Sequence, residues 1–383
     1  MDWYSITDIH QLDTPALVVY PDRIKENIRL AIEMVGDPAR LRPHVKTHKS
    51  PETTRLMLDA GIRSFKCATI AEAEMLALAG AEDVLLAYQP IGPKAARLAA
   101  LIKKYPDVRL ACLIDNEQAA TAMAAVFAAN GLTVPVWLDL NVGMDRTGIV
   151  PGDEAVQLYK EALSLKGITP VGLHAYDGHI RDADLAQRTR KCDEGFAKVT
   201  ALRDNIAALA SSPAPTPVPS PVPASDALLP IIAGGSPTFP IHSRRAAVQC
   251  SPGTFVYWDK GYSDSFKEQP FSHAALVVTR VISLRGDTRL CLDLGHKSIA
   301  PENELSNRVY FLNGPHLRPV GQSEEHLVVE AGPNHGYTVG DVFFGVPIHI
   351  CPTVALYERA LTIQNGKITG EFKNTARDRF LSV

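Results

Sequence analysis

The order of apolar and polar positions divides the chain in two. Over the first two thirds, short apolar runs recur at 16–19 (ALVV), 41–45, 64–67, 84–87 (VLLA), 109–113 (RLACL), 135–139 (PVWLD), 170–174 (PVGLH) and 229–233 (LPIIA). Runs of this length predict buried strands. The segments between them carry helical spacing: Ile24, Ile28, Ala31, Ile32 and Val35 share one face of 24–35. Asp115 is placed to cap a helix starting near 116. Eight strands, most followed by a helix, predict a (β/α)8 barrel of the TIM type; an open doubly wound sheet is the other arrangement the pattern allows. After about residue 246 the alternation stops. The runs 274–284, 289–294, 326–330 and 341–350 are strand-like without intervening helices, which predicts an all-β domain. The expected division is a barrel over 13–245 and a β domain over 246–383 together with 1–12.

Residues 211–223, SSPAPTPVPSPVP, cannot form a helix or a central strand. They predict a polyproline-like surface loop inserted before the last barrel strand, or a ligand segment for a proline-binding partner.

Composition narrows the function. With 383 residues, 46% hydrophobic and 21% charged, the chain reads as a globular enzyme, and its net charge of −3 argues against nucleic-acid or membrane-surface partners. The first residues lack the apolar core of a signal peptide, and no apolar run has the length of a membrane span. The six cysteines show no CxxC or disulfide-like spacing, which predicts free thiols in a reducing cytoplasm.

Candidate chemistry begins at Arg42-Pro43-His44-Val45-Lys46-Thr47-His48-Lys49, at the end of an apolar run. Cationic and titratable neighbours would push Lys46 toward a neutral, nucleophilic amine suited to Schiff-base chemistry. The alternative is a solvated basic loop. Further candidates follow the later strands, where a barrel gathers its catalytic groups: Gln89; Asn141 and Arg146 in LDLNVGMDRTG; His174, Tyr176 and His179 in LHAYDGH; and Gly234, Gly235 and Ser236 in AGGSPT. A Gly-Gly-Ser turn after the terminal strand can cradle a phosphate, because no Cβ keeps an anion from the backbone N–H groups. Arg146 can bind an anionic oxygen or pair with Asp145 or Asp139, and Tyr176 or His174 can face an aromatic ring. Near the C-terminus, His349 and Cys351 sit two apart in what reads as a strand, on one face, where nitrogen and sulfur could share a metal. His335 and Glu324-Glu325-His326 are further possible donors.

Taken together, HVKTHK, the glycine turn and the late HxCPT resemble the fold-type III pyridoxal-phosphate enzymes, in particular the D-threonine aldolase and D-serine dehydratase family related to alanine racemase. The resemblance runs from Asp13-Thr14-Pro15 to the HICPT segment. It implies that Lys46 carries pyridoxal 5'-phosphate as a Schiff base. It also implies that Gly234, Gly235 and Ser236, with Tyr257, hold the phosphate, and that Arg146 meets the phenolic oxygen. His349 and Cys351 would bind a divalent metal (zinc, manganese or magnesium), with His179 a candidate base. A homodimer acting on a small D-amino acid is expected. Some aldolases of the group carry a carboxylate at the second metal position, so Cys351 is closer to the dehydratase pattern. Four readings follow: a D-threonine aldolase-type lyase acting on D-3-hydroxy amino acids, a D-serine or 3-hydroxyaspartate dehydratase, an amino-acid racemase, and a non-catalytic cofactor-binding protein. The last two have no need of the HxC pair.

Overall fold

The structure, a computed structural model, describes residues 2–210 and 228–383; the Pro-rich segment 211–223 lies outside the described residues. Two compact units are present. One comprises Met34–His44, Ile62–Pro252 and Ser382–Val383, the other Met1–Glu33, Val45–Gly61 and Gly253–Leu381.

The first unit is the expected barrel. Seven parallel strands pair in chain order: Ser64–Cys67, Asp83–Leu86, Arg109–Ile114, Val134–Leu140, Ile168–Ala175, Ile231–Ala233 and Val248–Cys250. Leu41 bridges in parallel to Cys250 and His44 to Lys66, so segment 41–44 joins the two edges as an eighth stave and closes the sheet. Closure abolishes exposed edges. Inside, Leu85, Ala111, Leu113, Trp137 and Ile232 pack together. Trp137 fits because residue 172 is glycine: a Cβ there would lie 2.3 Å from the indole. Arg42 is buried and clamps the closure, with both terminal nitrogens 2.8 Å from the Asp83 carboxylate and Nε 2.9 Å from Gln249. Its charge is therefore compensated in a bidentate pair.

Two strand assignments change. The run 16–19 is a strand, Ala16–Val19, but it pairs with Ala275–Arg285 and Arg359–Gln364 in the other unit. A short apolar run specifies a buried strand without saying in which sheet. The missing stave is Val248–Cys250, three residues long and too short to carry a pattern. The helix Glu117–Ala129 is capped by Asn116, which accepts the Ala119 N–H at 2.8 Å. Asp115 instead accepts from Gln89 and from the Gly148 N–H.

The second unit is built on a nine-stranded sheet centred on Ala275–Arg285, which pairs antiparallel with Ala16–Val19, Arg289–Leu292 and Val342–Pro347. Alternate residues Val18, Leu276, Val278, Phe344 and Val346 form its core. Helix Pro51–Asp59 belongs to this unit and is capped by the Ser50 hydroxyl. Among the described residues no helix is long and apolar enough to cross a membrane.

Candidate active site

The C-terminal end of the barrel holds a charged chain that apolar patterning conceals. Lys66 lies in the strand Ser64–Cys67 and is only 2% exposed. Its Nζ reaches across the barrel interior to within 3.4 Å of His174 Nε2, while His174 Nδ1 lies 2.8 Å from Asp139 Oδ1. Burial, then the Lys66 charge, hold the His174 pKa below its usual value. Burial works to raise Asp139, but bonds from His174, Thr147 and Gln89 hold its carboxyl below the usual range. Neutral His174 thus donates from Nδ1 to an ionised Asp139 and accepts from Lys66 at Nε2. Tyr176 lies beyond, with Lys66 Nζ 5.7 Å and Arg146 Cζ 5.1 Å from its ring centroid, so two cations face one aromatic ring. Asp145, the alternative partner for Arg146, receives the Asn141 amide instead. His179 is exposed, with its Nε2 where a Cβ on Gly143 would come within 2.8 Å.

The glycine turn follows the strand Ile231–Ala233. Gly234 has φ +80°, and a Cβ on it would lie 2.7 Å from the His242 ring; one on Gly235 would lie 2.9 Å from the Tyr176 ring. Two rings therefore require two glycines, while the Gly234 N–H donates to the Ala175 carbonyl at 2.9 Å and the Gly235 N–H to Thr238 Oγ1 at 3.3 Å. Beneath the turn, Asp177, Cys192 and His242 are buried with their ligand atoms mutually within 4.8 Å, a grouping that could hold a metal by residue type. The local chemistry opposes this. Burial, then Asp177, push the Cys192 thiol up to about 12. The Arg245 guanidinium lies 2.5 Å from His242 Nδ1 and 3.5 Å from Cys192 Sγ. A guanidinium only donates, so Nδ1 accepts and Nε2 carries the hydrogen, directed at Asp177 Oδ2 at 2.8 Å. The grouping is a satisfied hydrogen-bond network.

The second unit holds Lys46, in the 3-10 turn Val45–Thr47. His48 is fully buried; its Nδ1 accepts the Ser50 N–H at 3.1 Å, and burial lowers its pKa to about 3. His48 is therefore uncharged, and Arg42 is compensated by Asp83, so the electropositive pocket expected from the motif is reduced at both ends. Tyr257 is also buried, with its hydroxyl 3.0 Å from Thr53 Oγ1.

The His349–Cys351 pair is in the same unit. The strand Val342–Pro347 ends before it, and His349 is the N-cap residue of the short helix Ile350–Val354. The expected strand geometry is therefore replaced by a helix start, yet the imidazole and thiol still meet in a hydrogen bond. Burial opposes ionisation of Cys351, but His349 and then Lys46 hold its pKa below the ordinary thiol value. Burial likewise opposes the charge on His349, but Cys351, Asp259 and Glu302 raise it to about 9. Asp259 fixes the segment by accepting the N–H groups of Tyr262 at 3.0 Å and Ile350 at 3.1 Å. Glu302 Oε1 lies 2.6 Å from His349 Nδ1, so Nε2 is the nitrogen that would bind a metal, which must displace its proton. A nitrogen–sulfur pair with a lowered thiol fits a divalent metal of the zinc type. The other suggested donors are engaged elsewhere: His335 accepts the Tyr337 N–H, and Glu324 and Glu325 pair with Lys297. Sequence reasoning missed Lys66, Asp177, Asp259 and Glu302, and met Asp139 only as a possible ion-pair partner of Arg146. Asp177 lies within LHAYDGH, beside candidate residues, and Glu302 within the polar stretch PENE.

Comparison with known proteins places the chain among related sequences and folds. The family described as alanine racemase, N-terminal domain, matches residues 19–220, and a putative serine dehydratase domain matches 274–363, which spans His349 and Cys351. The chain is 26% identical to a D-threonine aldolase of Arthrobacter sp, covering 96% of this chain and 93% of that one. It is 33% identical to a D-threo-3-hydroxyaspartate dehydratase of Delftia sp. over 38% of each. The crystal structure of a D-threonine aldolase from Filomicrobium marinum superimposes with a TM-score of 0.84 at 23% identity, covering 96% of both chains. With more than half its length matched, the chain belongs to the alanine racemase N-terminal domain family.

Proposed function

We propose that the protein is a pyridoxal-phosphate- and divalent-metal-dependent lyase that cleaves D-3-hydroxy amino acids to glycine and an aldehyde, in the manner of a D-threonine aldolase. The observation that carries this reading is the His349–Cys351 pair, a thiol drawn toward thiolate by an imidazole and by Lys46. A racemase or a plain cofactor-binding protein has no use for such a donor pair, whereas a lyase of 3-hydroxy substrates does. The near full-length likeness to the Arthrobacter aldolase supports it.

In this reading Lys46 would carry the cofactor, and Gly234, Gly235, Ser236 and Arg146 are the candidate residues for its anionic groups. His174 and Tyr176 are candidate contacts for its ring, and Tyr257 is a further candidate contact for its phosphate. His349 and Cys351 hold the metal, zinc being favoured by the nitrogen and sulfur donors. When bound, the cofactor supplies an electron sink for charge at the substrate Cα, and the metal a Lewis acid for the 3-hydroxyl. The protein's own groups position and move protons. Glu302 holds the His349 hydrogen on Nδ1, and Asp259 fixes the backbone that carries both donors. Asp139 and His174 keep the Lys66 cation in place inside the barrel. Exposed His179 is the candidate base for the substrate's hydroxyl proton as the Cα–Cβ bond breaks, and a proton returned to Cα completes glycine.

A second reading, a D-serine or 3-hydroxyaspartate dehydratase releasing a keto acid and ammonia, is favoured by one observation: the second donor is Cys351 rather than a carboxylate. There, Lys46 Nζ would remove the Cα proton. All six cysteines are free and five are buried, which supports a reducing, cytoplasmic setting. We expect a homodimer in solution. The test of the proposal is metal dependence. Turnover of D-threonine should stop with a chelator and return with zinc or manganese; undiminished turnover after complete metal removal contradicts it.

A further inference from the structure

The barrel unit contains a buried chain of polar groups that the proposed chemistry does not use. It begins at Arg245, which pairs with Asp193 and lies over the Phe196 ring. Arg245 donates to His242 Nδ1, and His242 Nε2 donates to Asp177 Oδ2 at 2.8 Å. The Thr238 hydroxyl donates to the other Asp177 oxygen at 2.6 Å, and the Gly235 N–H donates to Thr238 Oγ1 at 3.3 Å. Asp177, Thr238 and His242 are each at most 5% exposed. Every member has a fixed role. The guanidinium can only donate, which sets the imidazole tautomer; the carboxylate accepts from the imidazole, the Cys192 thiol and the threonine, which spends the threonine's one hydrogen; the threonine oxygen is then left to accept from the glycine turn. The chain also makes steric contact with the turn, since the His242 ring occupies the space where a side chain on Gly234 would lie.

We infer that Asp177, Thr238 and His242, anchored by Arg245, are positioning residues that fix the Gly234–Ser236 turn in its anion-receiving conformation and so set its affinity for a phosphate group. The inference rests on the reading of that turn as the phosphate cradle. The turn has a left-handed glycine and no regular secondary structure of its own; the Gly234 N–H is tied to the Ala175 carbonyl at 2.9 Å, and the bonds of Thr238 add a second restraint at Gly235. Releasing Thr238 from Asp177 frees both the hydroxyl and the Gly235 N–H, and the cradle loosens without touching any group that meets the rest of the cofactor. The effect should fall on the phosphate alone.

Binding of pyridoxal 5'-phosphate and of pyridoxal, which lacks the phosphate, separates the possibilities. Equilibrium titration of the apoprotein, read by cofactor absorbance, is made for the wild type, Thr238→Val and Thr238→Ser. Losing one buried hydrogen-bond link should weaken pyridoxal 5'-phosphate about tenfold or more in Thr238→Val. Pyridoxal affinity should stay unchanged, and Thr238→Ser should restore most of the loss. Inorganic phosphate should compete with pyridoxal 5'-phosphate in the wild type and lose that ability in Thr238→Val. Equal weakening of both ligands in Thr238→Val, or no weakening of either, overturns the positioning role while leaving the phosphate cradle intact. A wild type that binds pyridoxal 5'-phosphate no better than pyridoxal overturns the cradle reading itself, and the inference with it.

Discussion

His48 offers a prediction whose size follows from its surroundings. Its ring is fully buried two residues from Lys46, and its Nδ1 is occupied by the Ser50 N–H. Burial, with a smaller contribution from the Lys49 charge, lowers its pKa from 6.5 to about 3. In the unfolded chain the imidazole gains a proton as the pH falls through 6.5, while in the folded chain it stays neutral until about pH 3. Over that window the unfolded state binds more protons, so acid draws the equilibrium toward unfolding and stability rises with pH. Each pH unit inside the window is worth about 1.4 kcal/mol, so the contribution lost between about pH 7 and about pH 5 is about 2 kcal/mol, rising to about 4–5 kcal/mol by about pH 3. His48→Asn keeps an acceptor for the Ser50 N–H but cannot titrate. Urea unfolding of both proteins at the two higher pH values isolates the effect, because every other group titrates equally in the two. The wild type should lose about 2 kcal/mol more than the variant on acidification. Parallel losses in the two proteins would refute the buried, neutral assignment and would return His48 to consideration as an acid or base beside Lys46.

Other consequences are open to direct test. Glu302→Gln removes the carboxylate that orients His349 and should weaken metal affinity by about 10–100-fold, measured by competition with a chromophoric chelator; unchanged affinity contradicts the Glu302 role. Lys46→Ala should abolish the absorbance of the lysine-bound cofactor, and persistence of that absorbance removes Lys46 from its assigned place. His349→Ala should lose activity and bound metal while keeping the absorbance, and retention of full activity contradicts the metal role. Gly234→Ala forces a side chain into left-handed backbone and against the His242 ring, and should destabilise by about 1–3 kcal/mol in urea unfolding; an indifferent substitution would mean the turn is not fixed by that ring.

The sequence was most legible where a feature repeats. Six of the eight expected barrel runs are regular strands of the barrel and a seventh is its closing stave, because strand–helix alternation is a property of long stretches and tolerates small boundary errors. It misled at 16–19, where ALVV is as good a strand in one sheet as in another, and at Val248–Cys250, where three residues hold no period. His349 and Cys351 do meet, although through a helix start rather than a strand: His349 is the N-cap residue with extended backbone, so its side chain can turn toward the first turn that carries Cys351. Supporting groups were hidden. Lys66 reads as a charge interrupting an apolar strand, and only closure of the barrel brings it to His174. Asp177 lies beside Tyr176 in sequence, but its partners Cys192 and His242 are far along the chain, so nothing local signals the network. Arg42 looked like a neighbour for Lys46 and is instead committed to Asp83 across the closure of the barrel.

The most direct measurement is product analysis of the purified protein with D-threonine, in the presence of pyridoxal 5'-phosphate and a divalent metal. The account predicts equimolar glycine and acetaldehyde. Formation of 2-oxobutyrate and ammonia in their place would contradict the aldolase assignment and make Cys351 the mark of a dehydratase.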